Sequence, residues 1–120
     1  MELPVDNPSE DALPPEEVRI RKVSFSVHAD HRRVRISMEL TPFRIPPDIA
    51  VVITDGDDVE LASTNIIGAM NSRLTFTMHL PELTPSSRCL FRAAVDYREQ
   101  GTVDEVEKAF SLDNSSSEVG

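Results

Sequence analysis

Residues 73–97, RLTFTMHLPELTPSSRCLFRAAVDY, decide the fold class. Leu74, Phe76, Met78 and Leu80 alternate with Arg73, Thr75, Thr77 and His79, the period of two of a β-strand with one buried and one wet face. After a short Pro-containing turn, Cys89, Phe91, Ala93, Val95 and Tyr97 form a second apolar face. Leu90 and Ala94 among Arg88, Arg92, Asp96 and Arg98 leave the other side only partly polar. Two such runs joined by a turn predict a hairpin from the middle of an all-β domain.

Upstream, Val34, Ile36, Met38 and Leu40 alternate against Arg33, Arg35, Ser37 and Glu39, a half-buried strand. Before it, Val18 and Ile20 begin an alternation that changes parity at Arg21 and Lys22 and resumes at Val23, Phe25 and Val27. A one-residue slip turns every later side chain to the opposite face, so a bulge, or a strand crossing between two sheets, is expected there. His28 to Arg32 is a polar turn. Thr41 to Pro47 carries Pro42, Pro46 and Pro47, which lack the N–H a central strand donates, and reads as a loop.

Ile49 to Thr54, nearly all apolar, suits a central strand buried on both faces. Asp55-Gly56 is a turn dipeptide, and Val59 to Ala62 runs back as a shorter strand. Ser63 to Ser72 is irregular, with Ile66, Ile67 and Met70 available to plug the edge of a core. Downstream, Gly101 turns the chain once more. Val106, Phe110 and Leu112 then share the parity of a last strand, with Glu105 and Glu107 outside; a short helix over Val103 to Ala109 is the alternative. About seven short strands with frequent turns and no long helical periodicity predict an antiparallel β-sandwich.

The charge belongs to the ends rather than to this unit. Of a net charge of -9, eight negative charges lie in residues 1–17 and 113–120, leaving thirteen acids against twelve bases between them. The Pro, Glu and Ser content of the two ends is that of segments that cannot bury enough apolar surface to order themselves. The expected organisation is a disordered acidic leader 1–17, a β-sandwich domain 18–112 and a disordered Ser-rich tail 113–120. A lone Cys89 on an apolar strand face allows no internal disulfide and reads as an inert buried thiol. With no basic-then-apolar N-terminus and no apolar run near ~18 residues, a cytoplasmic location is the default.

The segment Leu83-Thr84-Pro85-Ser86-Ser87-Arg88-Cys89, followed by the alternating run Leu90 to Val95, resembles the corner before the sixth strand of fibronectin type III domains. In that family Leu-x-Pro-x-x-x-Tyr closes the corner with a tyrosine hydroxyl; here Cys89 stands in its place, and no Trp is present to fill the family's usual core position. The strand Val34 to Leu40 and the Pro-rich loop after it are similar in layout to the family's second strand and the loop that follows. The resemblance implies an immunoglobulin-like antiparallel β-sandwich of about seven strands, a fold used mostly for binding or spacing.

No catalytic constellation stands on these strands. His28, Asp30 and His31 are close in sequence, but alternation sends them to different sides, and no Cys is near to complete a zinc site. Asp55, Asp57, Asp58 and Glu60 gather four carboxylates in one turn without EF-hand spacing; weak calcium binding there is the alternative to a polar turn that keeps a hairpin soluble. No nucleophile elbow or phosphate-cradling Gly loop occurs, so a small hydrolase is the least supported class and no cofactor is expected. From Val18 to Arg44 seven bases face only Asp30 and Glu39. If the first, second and fifth strands share a sheet, Arg33, Arg35, Arg73 and His79 form one basic face. A protein partner fits such a face better than nucleic acid, for which it offers hardly any aromatic platform. The acidic leader, tethered beside Arg19, Arg21 and Lys22, would then partly mask that face. The expected function is a non-enzymatic protein-interaction or accessory module.

Overall fold

The computed structural model describes residues 12–30, 32–82 and 88–112. Seven strands follow the alternations: β1 (Ile20–Val27), β2 (Arg33–Leu40), β3 (Asp48–Thr54), β4 (Glu60–Ile66), β5 (Arg73–His79), β6 (Arg88–Tyr97) and β7 (Gly101–Ser111), preceded by a 3-10 turn at Pro15–Glu17. They form two antiparallel sheets, β1-β2-β5 and β4-β3-β6-β7. The fold is an all-β sandwich, with β1, β2 and β5 sharing a sheet as expected. Its core is the two inner faces: Val23, Phe25, Val34, Ile36, Met38 and Met78 from one sheet meet Ile49, Val51, Ile53, Phe91, Val95 and Phe110 from the other. No helix among the described residues is long and apolar enough to cross a membrane.

The parity change in β1 is a bulge. Ile20 pairs with Leu40 and Lys22 with Glu39, leaving Arg21 as the extra residue, after which Phe25 faces the core. The last segment is a strand, with Phe110 and Leu112 buried at its end.

Several expectations about the strands and loops are corrected. Residues 63–66, read as irregular, complete β4. The runs of residues 73–97 are both strands, but they do not pair: β5 edges the three-stranded sheet against β2, while β6 lies inside the other. Alternation reports which face is buried, not which strand is the neighbour. β3 is not buried on both faces, since Ala50 and Val52 on its outer side are only half-buried. Ile67 and Met70 do not plug the core; they are 75% and 83% exposed, and Ala69, at 2%, fills the place instead. That loop is fixed to the start of β3, with the Ala69 N–H donating to Pro47 O and the Gly68 N–H to Asp48 Oδ1, both at 2.8 Å. Gly68, at φ 62°, has the backbone this attachment requires.

Ordered contacts begin before residue 18, within the stretch read as leader. Ala12 and Val18 are buried, and residues 12–17 fold with the sandwich. Leu13 forms a parallel bridge with Phe43, its N–H donating to Pro42 O and its carbonyl accepting from Arg44 N–H, both at 3.1 Å. Arg19 clamps this segment: its Nη1 donates to the carbonyls of Glu16, Val18 and Val103 at 3.1, 2.8 and 3.3 Å. The Ile20 N–H donates to Asp104 Oδ2 at 2.8 Å, so the start of β1 is tied to β7 of the opposite sheet. Residues 1–11 and 113–120, read above as leader and tail, lie outside the described residues, as do His31 and residues 83–87 of the corner motif.

Candidate functional site

The register of the three-stranded sheet brings the four expected interaction residues onto one outer face. Arg33 stands opposite His79, Arg35 opposite Thr77, and Glu39 opposite Arg73. β1 adds Lys22 opposite Glu39 and Ser26 opposite Arg35. Directly opposed side chains lie about 5 Å apart, so these rows form one continuous surface.

The face is basic but partly compensated. Arg33 Nη2 pairs with Asp30 Oδ2 at 3.1 Å, and Asp30 Oδ1 accepts the Arg32 N–H at 3.0 Å. That backbone hydrogen bond, seconded by the Arg33 charge, holds the Asp30 carboxyl below its ordinary range. Glu39 lies between Lys22 and Arg73. Arg35, flanked by Ser26 and Thr77 rather than by a carboxylate, is the least compensated base. Leu13, near the first described residue, lies against the Pro42–Arg44 loop, at the far end of β2 from Arg33. Leu40 and Arg33 are seven residue steps apart along β2, about 24 Å.

The acidic turn has a structural task. Asp55 Oδ1 accepts the backbone N–H groups of Asp57 and Val59 at 2.8 and 3.0 Å, and the Asp55 N–H donates to Val59 O at 3.0 Å. Positive φ falls on Asp58, at 67°, and not on Gly56, so the Asp55 carboxylate closes a loop wider than a two-residue turn. Asp57, Asp58 and Glu60 are exposed, and among the described residues no three His, Cys, Asp or Glu side chains lie close enough together to hold a metal ion. Cys89 is 2% exposed, and burial, with the nearby Asp55 charge, pushes its thiol pKa up, the reverse of an activated nucleophile.

The sequence reading missed the outer face of the four-stranded sheet. Ala50 of β3 stands directly opposite Ala94 of β6, with Asn65 and Glu105 completing the row; beside it run Ser63, Val52, Arg92 and Glu107. Leu90, opposite Thr54, extends the apolar stripe. Arg92 forks onto Glu107 Oε2 from Nε at 3.1 Å and Nη2 at 2.7 Å. The signal was present in the sequence as Leu90 and Ala94 on the otherwise polar side of the β6 alternation.

No protein-family model matches the chain, and no curated protein matches its sequence. Solved structures match its fold. β-Glucuronidase from Bifidobacterium dentium, complexed with coumarin-3-O-glucuronide, superposes with a TM-score of 0.59 at 11% identity over 79% of this chain and 18% of its own. The Parabacteroides merdae β-glucuronidase gives 0.59 at 15% identity over 79% of this chain and 14% of its own. That from Ruminococcus gnavus, in complex with uronic isofagomine, gives 0.55 at 10% over 80% and 16%. The likeness is one of fold, and this chain spans less than a fifth of the length of those enzymes.

Proposed function

We propose that this protein is a non-catalytic accessory module with an immunoglobulin-like sandwich, which uses the outer face of β1-β2-β5 to hold an acidic protein partner. The observation that carries this reading is the register that aligns Arg33, Arg35, Arg73 and His79 on one face. The fold likeness supports it, because the matched unit makes up only 14–18% of the first two glucuronidase chains, the size of one part of a larger protein. Single exposed ion pairs contribute about 0–1 kcal/mol, so recognition rests on several at once and weakens with salt.

Titrating the isotope-labelled protein with a Glu-rich peptide tests this. Amide shifts centred on Arg35, Thr77 and Arg73, lost in the Arg35→Glu/Arg73→Glu variant and in high salt, are expected. Shifts scattered over both sheets, or unaffected by the double substitution, overturn it.

A further inference from the structure

The outer face of β4-β3-β6-β7 is of opposite character to its counterpart. An antiparallel sheet with one face on a core normally turns polar side chains outward, yet Ala50, Val52, Leu90 and Ala94, with Arg92 among them, are the half-buried outward residues at the middle of this one. Because Ala50 and Ala94 oppose each other and end at Cβ, they floor a depression walled by Val52, Arg92, Asn65 and Glu105. Its rim is acidic. Arg92 is engaged by Glu107, which leaves Glu60 on one edge strand and Glu105 on the other to set the sign.

We propose that this face is a second docking surface, distinct from the basic one, and that its occupant is the apolar side of a basic amphipathic helix from a partner protein. Two considerations select that occupant. The outer face of the other sheet, on a second copy of this chain, would match in charge, but its rows of Ser24, Ser26, Ser37, Thr75 and Thr77 offer no apolar side chain for the depression. Four strands about 4.8 Å apart and seven residues long give a face of roughly 19 by 24 Å, on the order of 450 Å². That is about half of what each partner contributes to a stable globular interface, but it accommodates a helix of about four turns, ~22 Å long and 10–12 Å across. Lysines flanking such a helix's apolar stripe reach Glu60 on one side and Glu105 on the other, and its leucines reach Ala50 and Ala94.

The test titrates the full chain with a synthetic 16-residue Leu/Lys peptide of amphipathic helical pattern, read by amide shifts and by peptide circular dichroism. Shifts confined to Ala50, Val52, Ala94 and Glu105, with the peptide becoming helical, are expected. Glu60→Lys/Glu105→Lys, at two exposed positions, should weaken binding at least tenfold, and Ala94→Arg should abolish it. A scrambled peptide of the same composition should bind at least tenfold more weakly. Equal binding of the scrambled peptide, or shifts on Arg35 and Thr77 instead, overturns the proposal. So does concentration-dependent self-association of the protein alone that Ala94→Arg abolishes, since that assigns the face to a second copy.

Discussion

Phe25 of β1 meets Phe91 of β6 edge to face across the sandwich, with ring centroids 5.2 Å apart and planes at 74°. Phe25 also stacks on Phe110 of β7 at 4.8 Å and 18°. Edge-to-face and stacked aromatic pairs each add about 0.5–1.5 kcal/mol beyond the area they bury. The three rings therefore join the two sheets at one point.

Phe91 is fully buried on a central strand, whereas Phe76 is half-buried on the edge strand β5. Phe91→Ala should cost about 3–5 kcal/mol, a large share of a small domain's stability, and leave little folded protein. Phe76→Ala should cost clearly less and retain a measurable urea transition. Equal losses in the two midpoints would contradict the edge placement.

Tyr97 donates its hydroxyl to Ile45 O at 2.7 Å and so pins the Pro-rich loop to the end of β6. Tyr97→Phe should cost about 0.5–1.5 kcal/mol. Burial raises the Tyr97 pKa above its ordinary value of 10.0. The folded state thus favours the neutral phenol, and this contribution is complete below the unfolded-state pKa and lost as pH rises through the higher folded one. Thermal midpoints measured from pH 9 upward should fall more steeply for the wild type than for Tyr97→Phe.

Cys89 should resist iodoacetamide in the native protein and react promptly in denaturant, because it is both buried and held as the thiol. Native labelling at the denatured rate would place it at the surface.

Asp55→Ala removes the acceptor of two backbone N–H groups and should lower stability by about 1 kcal/mol. Asp57→Ala, whose side chain is exposed, should stay within about 0.5 kcal/mol of wild type. Adding calcium should leave the Asp55 to Glu60 amides in place; saturable shifts there would instead support the cation reading of this turn.

Strand positions and buried faces were legible because alternation is local: Val34 to Leu40 and Cys89 to Tyr97 declare their inner sides without reference to any neighbour. The bulge at Arg21 was legible for the same reason, as a break in parity. Pairing was not. Nothing between Leu80 and Arg88 says that the chain changes sheets, and a run such as Ala50 to Ile53 looks alike whether its outer side is covered or open. The basic face followed once β1, β2 and β5 were assigned to one sheet, whereas the Asp30–Arg33 pair that tempers it depends on turn geometry. The exchange of Ala69 for Ile67 and Met70 in the core came from one backbone hydrogen bond to Pro47 and one to the Asp48 carboxylate, long-range contacts that hydrophobic alternation does not encode.

The docking of Leu13 against Phe43 also fixes how the domain transmits force. Residue 12 lies at the end of the sandwich that carries the 41–47 loop, and Leu112 leaves from the other end, beside the start of β6. Tension applied through these two points runs along the strands, so the ladders of β1 and β7 are loaded in shear, with many bonds resisting together, rather than unzipped one at a time. The Arg19–Val103 and Ile20–Asp104 bonds lie in that load path. In single-molecule pulling, Asp104→Ala should therefore lower the unfolding force more than Asp55→Ala, which lies off that path, even where the two cost similar equilibrium stability.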